Sequence, residues 1–352
     1  MTTASASVPV LVEARSEDAG VLIPPFFSMH DRDGFIHKPS LRETLREWFG
    51  AVNFINYPNR TLTMLNVLYH LGTFGVFIAY ISAYFSIPSA IYVSFLSTYL
   101  VTLYNTVWFH RHCSHLSFQA TKVLKVFFLW TNPFFFREEI YVVPHQVHHR
   151  RSEKPGDPYG PHLGWLGSYL SIESNQKYNT QISREKYEAL QRSLQHVGFP
   201  MNSFNDFKKY GSVEKVPHYL LRTAVSQGLY CFLSYLVGGL PAVIYFYAAV
   251  FLSVFLIRDF NWRGHGGFNR RNKIDGWEFD PQSSALNQKF YGYFASEWHD
   301  CHHLFPMSAK SGFLSSQPDL AFSVILFLKR IGFVTNYIDS TQNFNNFSNV
   351  VK

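Results

Sequence analysis

From Leu62 to Phe109 the chain reads LTMLNVLYHLGTFGVFIAYISAYFSIPSAIYVSFLSTYLVTLYNTVWF, and from Thr61 to His110 it holds no Lys, Arg, Asp or Glu. About 17–25 apolar residues cross a hydrocarbon core of roughly 30 Å, so this stretch is long enough for two passes. Pro88, near its middle, suits the turn of a helical hairpin better than the interior of one long helix. The pattern recurs from Thr223 to Ile257, TAVSQGLYCFLSYLVGGLPAVIYFYAAVFLSVFLI, again without a formal charge, and here Gly238, Gly239 and Pro241 mark the tip. The expectation is an all-α integral membrane protein with four transmembrane helices arranged as two hairpins, at about 61–109 and 217–259.

All 31 Lys and Arg lie outside the two charge-free stretches, and the formal net charge is +7. The positive-inside rule then places both termini and the long middle section on the cytoplasmic face of a multi-pass protein, and it explains the positive charge without a nucleic-acid partner. Cys113, Cys231 and Cys301 do not form a disulfide framework, since one sits in an apolar run and two lie inside histidine motifs, which suggests a reducing compartment. The start, MTTASASVPVLVEARSEDAG, has no basic residues followed by a long apolar run and does not read as a secretory signal. Residues 1–60 read as a cytosolic segment carrying an amphipathic helix over Ser40–Phe49, with a serine N-cap and Glu43 three residues on. That helix suits a membrane surface or an ordinary protein surface equally. Residues 61–310 read as the main domain, with 110–216 and 260–310 forming a cytosolic helical cap, and 311–352 as a cytosolic C-terminal segment. The apolar piece VLKVFFLWTNPFFF within the cap is too short and broken for a span and reads as interfacial.

The cap is where the histidines lie. Two near-copies of one pattern, PHQVHHR and WHDCHHLFP, place His145, His148 and His149, then His299, His302 and His303, at spacings that share one face of a helix. His110 and His115 in HRHCSH precede them, and Asn261 and His265 in NWRGH lie between. The hairpins bring these motifs out on one side of the membrane. A structural zinc takes four ligands and a catalytic zinc about three, so these nine imidazoles fit two metals better than one tetrahedral ion. Nitrogen donors leave zinc, copper and iron open. Asp157, Asp300, Glu297, Glu138 and Glu139 lie near the boxes, where a carboxylate can take the outer ring proton of a ligating histidine. Solvated surface charge is the competing reading for Glu138 and Glu139. His70, inside the first apolar helix with no partner at ligand spacing, reads as a buried histidine bonded to a nearby carbonyl.

In its series H-x-x-x-x-H, H-x-x-H-H, N-x-x-x-H and H-x-x-H-H, with two apolar hairpins, the chain resembles the membrane fatty acid desaturase superfamily. Here the boxes read HRHCSH, HQVHH, NWRGH and HDCHH, and DPYG, PHLGWLGSYL and the F-P after the last box add to the likeness, which covers about residues 60–310. The six-residue first box resembles desaturases more than alkane and sterol hydroxylases. The resemblance implies four transmembrane helices under a cytosolic cap, two iron ions held by the nine histidines, and Asn261 holding a water near one iron. It also implies dioxygen-dependent removal of two hydrogens from a fatty acyl chain. His162 matches a family histidine that is not an iron ligand and so reads as structural or outer shell, and His112 is extra and reads as surface or outer shell.

This chain departs from the family pattern at Cys113, Leu116 and Trp262, and Ala295-Ser296-Glu297 replaces the common Gly-Glu-Gly. None of these removes a ligand, but they leave the acyl carrier, the position of the double bond and the outcome open between desaturation, hydroxylation and acetylenation. A membrane zinc hydrolase is the alternative from another class. Electrons are expected from a separate ferredoxin or cytochrome with its reductase, because no haem-binding H-P-G-G occurs. A basic face carrying Arg150, Arg151, Lys154 and Arg184 suits an acidic donor, the phosphates of acyl-CoA, an acyl carrier protein, or membrane lipid.

Overall fold

The computed structural model describes residues 20–26, 38–152, 157–158, 163–170, 175–265 and 289–350. In chain order the elements are β1 (Leu22–Ile23), α1 (Leu41–Val52), α2 (Thr61–Ala79), α3 (Ile87–Leu100), β2 (Phe118–Ala120), α4 (Lys122–Thr131) and α5 (Glu138–Arg151). Then follow α6 (Gly164–Leu170), β3 (Lys177–Tyr178), α7 (Arg184–Leu194), α8 (Phe204–Tyr210), α9 (Val216–Gly264), α10 (Lys289–Phe294), α11 (His299–Leu304), α12 (Leu320–Arg330), β4 (Val334–Tyr337) and α13 (Thr341–Val350).

Among the described residues, three helices are long and apolar enough to cross a membrane: Pro58–Tyr84, Ile87–Ser114 and Val216–Gly264. The first two are joined by a short turn in which Ser86 N-caps α3 and accepts from the Ser89 N–H. Pro88 therefore sits in the first turn of α3 and not at the tip itself, because a proline there has no N–H to lose. As one rod, the 49 residues of α9 would run about 74 Å, more than twice the hydrocarbon core. The helix breaks at Gly238 and Gly239, and Gly239, at φ 61° and ψ −153°, holds a conformation open essentially to glycine alone. The two halves double back on each other. Tyr230 stacks on Phe246 at 4.6 Å between centroids, and the Tyr247 hydroxyl donates to Gln227 at 3.0 Å. Large apolar side chains such as Phe95, Phe232 and Val237 point outward from these helices, as a lipid-facing surface requires.

Beyond Leu100 the second long helix changes register and continues as a π-helix over Val101–Ser114. Trp108, on this segment, stacks on Phe128 of α4 at 4.8 Å, in the largest apolar cluster of the protein. The C-terminal segment packs back onto it. α12 lies along the π-helix, and β4 pairs antiparallel with β2, Phe118 opposite Tyr337. At the other edge β1 pairs with β3, and α1 begins with the Ser40–Glu43 capping box that its sequence signals.

Glu138 and Glu139 are neither solvated surface nor partners of a histidine: both are fully buried. Glu138 pairs with Arg222 of α9, which also holds Glu214 at 2.8 Å. Glu139 pairs with Arg137 and accepts from Ser212 Oγ and the Glu214 N–H. These ion pairs clamp the start of α5 to the start of α9. Arg222→Met would remove the guanidinium shared by two buried carboxylates, leaving His218 to Glu214 and Trp108 to Glu138, and it is expected to cost about 3–5 kcal/mol, read as denaturant or thermal unfolding in detergent. A loss below 1 kcal/mol would contradict the clamp.

Candidate metal centre

The register change beyond Leu100 has a chemical consequence. In an α-helix, residues five apart point about 140° away from each other, whereas a π register bonds i to i+5 and stacks them. The His115 N–H accordingly reaches the His110 carbonyl at 3.2 Å, and the two rings lie 4.9 Å apart. His112, two places on from His110, is sent the other way. It is buried rather than on the surface, bonds the Phe118 carbonyl at 3.0 Å and stacks on Trp108. On α5 the spacing of His145, His148 and His149 carries all three to one side, and the short α11 does the same for His299, His302 and His303. His265 caps the C-terminal end of α9, one turn beyond the half-buried Asn261.

Ring nitrogens of His110, His115, His145, His149 and His302 lie within 4.8 Å of one another, and those of His148, His265 and His303 form a second such group. His299 joins the second group through Nε2, 2.9 Å from Nε2 of His265. The groups adjoin, since His149 stacks on His303 at 4.3 Å. Further Nε2 to Nε2 separations are 2.9 Å for His115 and His145, 3.1 Å for His145 and His149, 3.0 Å for His149 and His302, and 2.9 Å for His148 and His265. Nitrogens held about 2.1 Å from one ion at right angles are about 3.0 Å apart. That correspondence is the fit of these residues to metal.

The outer ring nitrogens fix which lone pairs face inward. Asp157 Oδ1 accepts from His148 Nδ1 at 2.8 Å, which turns the His148 Nε2 lone pair toward His265. Glu297 spans two rings, with Oε2 at 3.5 Å from His110 Nδ1 and Oε1 at 3.4 Å from His302 Nδ1. Burial, and after it the neighbouring imidazoles, hold His145, His149, His302 and His303 well below the usual histidine value. All four are therefore neutral near pH 7, as a ligand must be. Asp300 is fully buried at the start of α11. His162 and Lys154 lie outside the described residues. Arg150 is half-buried, Arg151 is exposed, and the exposed Arg184 sits over the Phe204 ring at 5.6 Å. His70 bonds the Asn66 carbonyl at 2.7 Å, away from the cluster.

Several supports of the centre lie outside the histidine spacing. Thr106 Oγ1 donates to the Ala295 carbonyl at 2.6 Å, and Thr102 bonds Ser296 at 3.2 Å, holding the approach to α11 against the π-helix. Trp298 Nε1 donates to the Pro318 carbonyl at 2.9 Å. Gly264 is required by close approach, because a Cβ there would lie 2.6 Å from Cδ2 of His299. Gly264→Ala is expected to displace that ring and weaken metal retention about tenfold or more, read as metal content after dialysis against a chelator. Retention equal to the unaltered protein would contradict the contact.

The fatty acid desaturase family matches residues 86–310, more than half of the chain. The sn-2 palmitoyl-lipid 9-desaturase of Nostoc sp. (strain 36) is 26% identical over 313 residues, covering 83% of this chain and 96% of that protein. The sn-1 stearoyl-lipid 9-desaturase of Anabaena variabilis is 25% identical over 282 residues, covering 78% of this chain and 93% of its own length. Icosanoyl-CoA 5-desaturase of Limnanthes douglasii is 26% identical over 246 residues and 66% of this chain. The chain spans 60% of the length of that protein and 58% of a probable chloroplastic lipid desaturase of Arabidopsis thaliana. The matched region contains every histidine of both nitrogen clusters and two of the three long apolar helices beside them, and the chain belongs to the fatty acid desaturase family.

Proposed function

We propose that this chain is a dioxygen-dependent fatty acyl desaturase whose two histidine clusters hold two iron ions on the cytoplasmic side of a membrane. The observation that carries the reading is the meeting of imidazole nitrogens from four separate segments in two adjoining groups, five in one and three in the other with His299 beside them. The first long hairpin is α2 with α3, and the halves of α9 make the second, so the chain crosses four times. Both hairpins then deliver their histidines to one face, under a cap built from α4–α8, α10 and α11. The positive charge lies on that face, as the positive-inside rule requires.

Two irons fit this donor set, and iron supplies the redox chemistry with dioxygen that zinc lacks. The chain's own residues prepare that chemistry. Five imidazoles present nitrogens in the first group, and His148, His265, His299 and His303 in the second, with Asn261 placed to hold a water beside it. Asp157 holds the Nδ1 proton of His148 and Glu297 faces the Nδ1 of His110 and His302, so each ring presents Nε2 inward. Burial first, and the neighbouring imidazoles after it, keep His145, His149, His302 and His303 neutral near pH 7. The acyl chain loses two hydrogens, and these, with two electrons and two protons from outside, reduce dioxygen to two waters.

The substrate is a fatty acyl chain carried on lipid, coenzyme A or an acyl carrier protein. The relatives are named for acyl-lipid and acyl-CoA substrates, which supports both of the first two. An external ferredoxin or cytochrome with its reductase supplies the electrons. Arg150, Arg151, Lys154 and Arg184 offer cationic contacts for that donor or for carrier phosphates.

Expression in a host of known lipid composition, followed by mass spectrometry with double-bond localisation, tests the reading. An acyl product two mass units lighter is expected, and His148→Ala or His302→Ala should abolish it, since each removes a ring at the heart of one cluster. A product sixteen units heavier would make the chain a hydroxylase, and no acyl change under air would contradict the reading.

A further inference from the structure

Arg111 follows His110 at the end of the uncharged run that begins at Thr61, and its side chain is almost completely buried, 1% exposed. A buried guanidinium needs several acceptors, and their identity matters here. Nη1 donates to the Ala309 carbonyl. Nη2 lies 2.8 Å from the Ser296 carbonyl, 3.0 Å from Ser311 Oγ, 3.4 Å from Glu297 Oε2 and 3.0 Å from Asp319 Oδ2. Asp319 is itself fixed, because Oδ2 also accepts from the Ser311 N–H at 2.8 Å and Oδ1 N-caps α12 through the Phe322 N–H at 2.8 Å. Asp319 lies beyond residue 310, where the family match ends.

What Arg111 grips is the residue pair that departs from the family's Gly-Glu-Gly. Ser296 stands at φ 53°, in the left-handed region that a non-glycine residue rarely occupies, and Arg111 binds its carbonyl. Glu297, next in the chain, reaches back between His110 Nδ1 and His302 Nδ1. Both of those rings belong to the group of five and neither to the group of three.

Resting on the di-iron reading above, we propose that Arg111 and Asp319 are positioning residues. They lock the Ser296 turn and the Glu297 carboxylate so that one carboxylate orients His110 and His302 together. The C-terminal segment thereby completes one metal site and leaves the other to Asp157. The effect is selective: loosening this contact disturbs the iron in the five-histidine group.

Asp319→Asn tests this in the full-length protein, purified in detergent and loaded anaerobically with Fe²⁺. Asparagine still caps α12 through Oδ1, so the helix end is kept while the charge facing Arg111 is lost. One of the two irons is expected to pass to a chelator about tenfold faster, and one of the two Mössbauer doublets to change, with the other as in the unaltered protein. Asp319→Glu should restore part of the retention. In a Glu297→Gln background Asp319→Asn should add nothing further, since Asp319 and Arg111 act through that carboxylate. Release unchanged from the unaltered protein, equal loss of both irons, or full additivity with Glu297→Gln would overturn the proposal. Unaltered protein that loads no iron would instead defeat the di-iron reading, and release of Zn²⁺ loaded in its place would still report whether Asp319 controls one site.

Discussion

Imidazole nitrogens brought within about 3 Å of one another need a proton or a cation between them, because two facing lone pairs repel. At His148 the Nε2 lone pair faces inward, because Nδ1 donates its hydrogen bond to Asp157, and it meets the His265 nitrogen at 2.9 Å. A proton on His265 Nε2 or a bound cation satisfies that pair. The rest of the structure follows from having to bring these nitrogens together from four parts of the chain. The π register serves His110 and His115, the helical spacing serves α5 and α11, and the bare backbone of Gly264 lets His299 approach.

Holding that arrangement rigid falls to buried ion pairs at the ends of the long helices. Arg222 gathers Glu138 and Glu214 at the start of α9, and Arg111 gathers Glu297 and Asp319 at the end of the π-helix. Each arginine ties an apolar helix to a segment next to the histidines. Buried ion pairs of this kind contribute little net stability against an apolar alternative, yet losing one partner is costly. Their value here is positional: they fix where α5 and the approach to α11 sit against the long helices.

Much of this was legible in the sequence, for reasons that are local. The uncharged runs around Pro88 and Gly238–Gly239 announce long apolar helices, since charge is excluded from hydrocarbon whatever the tertiary packing. Six of the gathered histidines are legible by helical spacing, because i, i+3 and i+4 share a face in any helix, whereas His110 and His115 meet through the π register and His265 through the end of α9. What was not legible depends on distant partners. Glu138 reads from sequence as a histidine partner or as surface charge, because Arg222, which buries it, is 84 residues away. Arg111 gave one hint, a cation at the end of an uncharged run, but its partner Asp319 lies 208 residues on. His112 could be separated from His110 by spacing, whereas its burial against Trp108 follows from the π register, which no local pattern signals.

The Nδ1 partners and the grouped rings suit clusters that hold metal ions, and under the proposed function those ions are two irons. Elemental analysis of the full-length protein purified without oxygen tests that most directly. Two irons per chain are expected, with both lost when His148 and His302 are replaced together. One zinc per chain and no iron, even after anaerobic loading with Fe²⁺, would contradict it.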